Sequence, residues 1–314
     1  MRLASPIVFE PIFMERVWGG RRLQSQLGKR LPSHGRFGES WEIVDRSEAQ
    51  SVVHDGPLRG KTLHELWTDY RAAVFGEHVP DASRFPLLFK LLDAQERLSL
   101  QVHPPAGVAP SLAGEPKTEM WYIMDRSGDD AIFAGLRPGV TRDDFEQALR
   151  AGSAHNAVHR ASAAAGDSIF LPSGRIHAIG AGYLIAEVQQ NSDTTYRVFD
   201  WNRVGLDGKM RELHIDKSLQ SIDFADFEPQ FQVPDGETLV HCPWFHVEKW
   251  GLSGPRESCP AGEIAIFTVL SGAIECAGLQ FNPGDFFLIP ATLDDRMLRP
   301  AAAESSVLRT TIPV

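Results

Sequence analysis

Gly166-Asp167-Ser168-Ile169-Phe170-Leu171-Pro172 reads as a Gly-Asp turn feeding a short apolar strand that stops at a proline. The pattern returns as Gly284-Asp285-Phe286-Phe287-Leu288-Ile289-Pro290. A turn–strand–stop unit used twice predicts two related β-units. The first copy runs on into Ser173-Gly174-Arg175-Ile176-His177, whereas the second has no histidine shortly after its proline. The first unit is therefore expected to carry chemistry and the second to be structural.

Working outward, alternating or apolar runs predict further strands at 51–54, 97–103, 120–124, 183–189 and 265–270. Helical patterns are fewer. Thr62 and Glu65 form a capping-box spacing ahead of a helix over 63–75, with Leu63, Leu66, Trp67 and Tyr70 on one stripe. Thr141 caps a second helix to about 149, ended near Gly152, and a third spans about 213–222. With 27 glycines and 21 prolines punctuating short strands, the expected fold class is mainly β, a barrel or double-sheet sandwich with a few helices. The polar stretch 226–237, with Pro229, Pro234 and Gly236, predicts a boundary between a larger domain, 1–235, and a smaller β-domain, 236–314.

Composition narrows the partners. Thirty-one basic and 41 acidic residues give a net charge of −10, which disfavours nucleic acid and anionic membrane. No apolar run approaches the roughly 18 residues of a membrane helix, and Arg2, Pro6, Glu10 and Pro11 interrupt any leader-like stretch. Three separated cysteines, Cys242, Cys259 and Cys276, make neither a disulfide framework nor a cysteine zinc site, so the expected location is the cytoplasm.

The chemistry-bearing residues fall in four pieces. In Leu98-Ser99-Leu100-Gln101-Val102-His103, strand alternation puts Leu98, Leu100 and Val102 on one face and Ser99, Gln101 and His103 on the other. A merely solvated face would favour Lys, Glu and Thr. In Lys117-Thr118-Glu119, the lysine and glutamate share a face, which in isolation is an ordinary surface ion pair. The third piece is the turn presenting His177. Gln101, His103, Glu119 and His177 together offer oxygen and imidazole donors for a divalent metal, zinc or non-heme iron. The fourth is Glu187-Val188-Gln189-Gln190-Asn191-Ser192-Asp193-Thr194-Thr195-Tyr196-Arg197, followed by Asp200-Trp201-Asn202-Arg203. It is rich in amides, hydroxyls and arginines, as a pocket for a phosphate or a developing oxyanion requires.

These motifs, with Gly38-Glu39-Ser40-Trp41-Glu42 and Phe85-Pro86-Leu87-Leu88-Phe89-Lys90, resemble the class I mannose-6-phosphate isomerase family in its short bacterial form, over most of the chain. The resemblance implies a cupin-type jelly-roll with a second, smaller C-terminal β-unit. It implies one zinc ion per chain held by Gln101, His103, Glu119 and His177, with Arg197 as the active-site arginine. Ser99, Lys117 and Arg203 match positions that bind or handle a phosphosugar. The implied reaction interconverts D-mannose 6-phosphate and D-fructose 6-phosphate through a cis-enediol, without a nucleotide cofactor, nucleic acid, membrane or protein partner. For that reaction Lys117, near a cation and partly desolvated, is expected to have a lowered pKa. Asp193 is the other candidate for ring opening. Two departures stand out: the chain is too short for the helical insert of the long members, and Gly114-Glu115-Pro116 precedes Lys117 where many relatives have glycine next to the lysine.

Overall fold

The computed structural model describes residues 2–313. Its strands build a six-stranded sheet, in spatial order Ile12–Gly20, Phe37–Ile43, Leu87–Ala94, Tyr183–Gln190, Glu119–Arg126 and Ser168–Leu171. A five-stranded sheet runs Tyr196–Phe199, Leu100–Val102, His177–Ala178, Ile132–Leu136 and Val158–Ala161. Every named strand pair is antiparallel. This is the mainly β architecture expected, with cupin-type sheets and few helices.

Two more sheets are built from residues after the 226–237 stretch. One has five strands, Thr238–His241, His246–Leu252, Ser305–Thr311, Ala265–Ser271 and Phe286–Ile289. The other has four short ones between Arg256 and Pro300. The sequence echo is a structural echo. Ser168–Leu171 pairs antiparallel with Glu119–Arg126, and Phe286–Ile289 pairs antiparallel with Ala265–Ser271. Both entering turns hold their glycine at positive φ, +97° and +87°, where a side chain would be strained. In each, the turn aspartate accepts from a backbone N–H three residues upstream, Ala164 at 2.7 Å and Asn282 at 2.8 Å.

The boundaries of several expected elements shift. The 63–75 helix is two, Leu63–Asp69 and Arg71–Val74, broken at Tyr70, whose φ and ψ are −119° and 19°. Its capping box forms as read, with Glu65 N–H donating to Thr62 Oγ1 at 3.1 Å. The Thr141 cap opens Arg142–Arg150, and the third helix contracts to Ile215–Ser221. The expected strand at 51–54 is only two isolated bridges, Val52 with Thr62 and Val53 with Phe9. The 97–103 strand contracts to Leu100–Val102, and the proline after His103 helps end it.

The largest apolar core joins the two halves. Leu3, Ile7 and Phe9 pack with Trp67, Phe75, Phe85 and Phe89 and with Leu239, Ile266, Phe286, Leu288 and Leu308. Ile7 and Leu288 exchange backbone hydrogen bonds at 2.8 and 2.9 Å, and Phe89 meets Phe286 edge-to-face at 6.2 Å. Among the described residues no helix is long and apolar enough to cross a membrane. Phe286→Ala is expected to cost about 3–5 kcal/mol by removing a buried ring from this seam. Urea denaturation checks it, and a loss below about 1 kcal/mol would mean that the C-terminal sheets dock without it.

Candidate metal centre and active site

Three strands converge on the site through their register. Gln101 lies opposite His177 on one side and Arg197 on the other. In the facing sheet, Glu119 lies opposite Gln189 and Leu171. Alternation holds from Ser99 on, with Leu100 and Val102 fully buried in one apolar core and Ser99 Oγ reaching the Gln101 amide oxygen at 3.3 Å, whereas Leu98, ahead of the strand, lines the cleft and packs in another core.

His103, Glu119 and His177 bring one ligand atom each to within 4.8 Å of one another. His103 Nε2 is 3.5 Å from Glu119 Oε2, and His177 Nε2 is 3.4 Å from Glu119 Oε1. Donors to one cation on bonds of about 2.0–2.1 Å sit about 3.3–3.4 Å apart, and both imidazole–carboxylate separations fall close to this. The second shell agrees. His103 Nδ1 donates to Thr194 O at 2.7 Å and His177 Nδ1 to Arg175 O at 2.9 Å. Each imidazole thereby turns its Nε2 lone pair into the cluster, where Lys117 Nζ lies 3.5 Å from His103 Nε2. Both rings are held neutral. Burial, then the Lys117 charge, pushes His103 down to about 3, and burial lowers His177.

Neither carboxylate oxygen of buried Glu119 has a hydrogen-bond partner of good geometry. Burial alone would raise its pKa, but the Lys117 charge 3.1 Å away outweighs burial and holds it well below the usual carboxylate range. An ionised, unsatisfied buried carboxylate facing two neutral imidazoles is a donor set suited to a divalent cation. The Gln101 amide lies against the same group, its nitrogen 3.3 Å from His177 Nε2. A half-turn of the amide exchanges nitrogen for oxygen there.

Beside this cluster opens a cleft of about 550 Å³. Four of the sequence-read residues and the Gln101 amide reach it: Ser99, Lys117, Asp193 and Arg197 line it. His103, Glu119 and His177 are buried to 1% exposure or less, next to the lining groups Gln101 and Lys117. Arg203 is not brought in. Its guanidinium binds Asp200 and the Arg97 carbonyl and lines a separate cleft with Arg97, Arg160 and Trp201. The loop before Lys117 is well determined. Glu115 is clamped by Arg46 and Arg84, and Lys117 N–H donates to Ser173 Oγ at 2.9 Å. Gly114 passes so close to Tyr196 that a Cβ would sit 2.4 Å from the phenol oxygen.

Lys117 departs from expectation in electrostatics. Its Nζ lies 3.1 Å from Glu119 Oε2 and 3.5 Å from His103 Nε2. Burial pulls its pKa down, but Glu119, Glu187 and Asp193 together outweigh burial, so the protein groups raise it rather than lower it. Arg197 is lowered by burial and then by neighbouring Arg211, and its Nε has no partner.

Sequence reading assigned no role to Arg16, Glu39, Lys90, Glu187 and Arg211, all of which line the cleft. Glu39 sits between Arg16, at 2.8 Å, and Lys90, at 4.0 Å. These cations and the Trp41 indole outweigh its burial and hold it at about 2. Glu187 receives the Trp121 indole N–H at 2.9 Å and lies 3.5 Å from Lys90. Burial, then the Glu119 charge, raises its pKa. Strand alternation was the available signal, since Glu39 and Lys90 come from neighbouring strands whose partners a single sequence does not name.

The model of the type I phosphomannose isomerase catalytic domain matches residues 8–119. The mannose-6-phosphate isomerase ManA of Bacillus subtilis is 38% identical over 303 residues, covering 92% of this chain and 94% of that protein. The crystal structure of a Bacillus subtilis mannose 6-phosphate isomerase superposes with a TM-score of 0.86 at 32% identity, over 98% of this chain and 100% of that one. A mannose 6-phosphate isomerase bound with zinc and yttrium shares the fold at a TM-score of 0.74 and 17% identity, over 99% and 100% of the two chains. With this identity along nearly its whole length, the chain belongs to the type I phosphomannose isomerase family.

Proposed function

We propose that this chain is a zinc-dependent aldose–ketose isomerase interconverting D-mannose 6-phosphate and D-fructose 6-phosphate through a cis-enediol. The observation that carries the reading is the meeting of two buried imidazole Nε2 atoms and a buried carboxylate without a hydrogen-bond partner beside a cleft walled by Lys117 and Arg197. The names of its relatives, and the zinc in one structure of the same fold, support it. Gln101, His103, Glu119 and His177 would hold one zinc ion, which supplies Lewis acidity toward the sugar oxygens. Residues 1–235 would form the catalytic unit and 236–314 a smaller covering unit. The net charge of −10 suits a small-molecule substrate better than nucleic acid.

The chain's own groups divide the remaining work. Lys117, kept protonated by three carboxylates, donates a proton to the ring oxygen as the sugar opens, and Asp193 in the same cleft accepts the proton from the anomeric hydroxyl. Glu187, whose raised pKa brings it closer to neutrality, carries the proton between C2 and C1. Its Oε1 has no hydrogen-bond partner and belongs to the cleft wall. Arg197 is permanently charged and has an unpartnered Nε, so it stabilises the negative charge that builds on the enediol oxygen. A β-barrel iron oxygenase would need neither this lysine nor this arginine.

Purified protein should convert mannose 6-phosphate to fructose 6-phosphate, stop on chelation and recover with added zinc. Zinc-loaded protein with no turnover would overturn the substrate. His103→Ala and His177→Ala should lose bound metal by elemental analysis, and full occupancy in either removes that residue from the ligand set. Arg197→Ala should lower kcat by about 10²-fold or more with metal content intact; a kcat near the parent's would take Arg197 out of the mechanism.

A further inference from the structure

The cations of the cleft are unequally neutralised. Arg16 is paired with Glu39, Lys90 lies between Glu187 and Glu39, and Lys117 faces Glu119. At the Arg197 end the balance changes. Arg197 has no carboxylate partner; its Nη1 donates to the Glu212 carbonyl at 2.8 Å. Arg203 and Arg211 both bind one carboxylate, Asp200: Arg203 Nη2 at 2.8 Å, Arg211 Nε at 2.7 Å and Arg211 Nη2 at 2.5 Å. Two guanidinium groups thus share one buried acid and Arg197 has none of its own, while the other nearby acids, Asp207 and Glu212, are exposed to water. Arg197 and Arg211 therefore make this end of the cleft its least neutralised, suited to the charge of a phosphate monoester.

Direction decides which arginines meet that phosphate. Trp201 and Asn202 both adopt positive φ, 57° and 53°, a costly conformation for non-glycine residues. The chain bends there, and Arg203 points to the Arg97 cleft. The segment then forms a hairpin, with Val204 bridged to Met210 and Gly205 N–H donating to Lys209 O at 2.6 Å. It returns Gly205, Leu206, Asp207 and Arg211 to the wall of the main cleft. Arg211 is close enough to Arg197 to depress its pKa.

We propose that Arg211, carried by this hairpin and aligned by Asp200, is a phosphate-binding residue that works with Arg197 and takes the place at the cleft for which Arg203 is misdirected. This rests on the phosphosugar isomerase reading above. Arg211 then determines preference for phosphorylated over unphosphorylated sugar, and Asp200 is a positioning residue that fixes the planar fork of Arg211.

The test uses inorganic phosphate and mannose 6-phosphate with the zinc-loaded full chain. Arg211→Gln should weaken phosphate binding by calorimetry by roughly 10–100-fold, the worth of a charge-assisted hydrogen bond. It should raise KM for mannose 6-phosphate similarly while kcat falls far less. Arg211→Lys should recover part of the phosphate affinity, which a merely structural role would not produce, and Arg203→Gln should cost less than Arg211→Gln. The proposal is overturned if the parent does not bind phosphate, if Arg211→Gln binds it as the parent does, or if Arg203→Gln is the more damaging change. If Arg211→Gln does not fold, Arg211→Lys against the parent gives the same reading through KM. Phosphate binding that depends on Arg211 without any sugar turnover would overturn the isomerase reading and leave the anion site standing.

Discussion

The carboxylate of Glu119 is the constraint around which the first unit is arranged. It is fully buried, ionised and without a good hydrogen bond, a condition that costs several kcal/mol unless opposite charge is held close. Lys117 provides part of that charge, and the Nε2 atoms of His103 and His177 mark where a metal cation would supply the rest. The Lys117–Glu119 pair, His103 and His177 come from three different pieces of chain, so their meeting depends on strand register. A slip of one residue in Leu100–Val102 would turn Gln101 away from His177 and Arg197 and carry Leu100 into the polar cleft. Backbone carbonyls complete the arrangement, because Thr194 and Arg175 fix the ring tautomers that make the imidazoles useful as donors.

Much of this was legible, and the reasons differ by residue. The period of two in 98–103 puts Ser99, Gln101 and His103 on one face, and that physics is local. The capping boxes at Thr62 and Thr141 are local as well. Which strand lies opposite which is a non-local property. Glu39, Lys90 and Glu187 are charged residues on strands that otherwise read as core, and only the pairing of Phe37–Ile43 with Leu87–Ala94, and of the latter with Tyr183–Gln190, brings them to one wall. The proton affinity of Lys117 illustrates the limit most clearly. Burial and a neighbouring cation argue for a low pKa, yet three carboxylates 2, 70 and 76 positions away in sequence set the opposite sign. Arg203 and Arg211 show the same limit in geometry, since the chain ahead of both turns through two consecutive left-handed residues, and the first, Trp201, belongs to a type that rarely adopts that conformation.

The two copies of the Gly-Asp–strand–proline unit show what a shared framework does and does not determine. Turn, strand and antiparallel partner are alike in both. The difference begins at the proline. After Pro172, Ser173 receives the Lys117 N–H, Gly174 N–H bonds the His103 carbonyl at 2.8 Å, and the chain delivers His177 opposite Gln101. After Pro290, Ala291 N–H bonds Val74 O at 2.9 Å and Thr292 Oγ1 donates to Ala73 O at 2.8 Å, so the same stretch docks on the short Arg71–Val74 helix. Imidazole is replaced by contacts that attach one unit to the other, and Phe286 from the same strand enters the shared core. The second copy therefore works through packing: it covers the apolar side of the helices and the Leu87–Ala94 strand. On the other side of that strand Lys90 faces the cleft, so the strand that packs on the seam through Phe89 also carries the cation paired with Glu39 and Glu187.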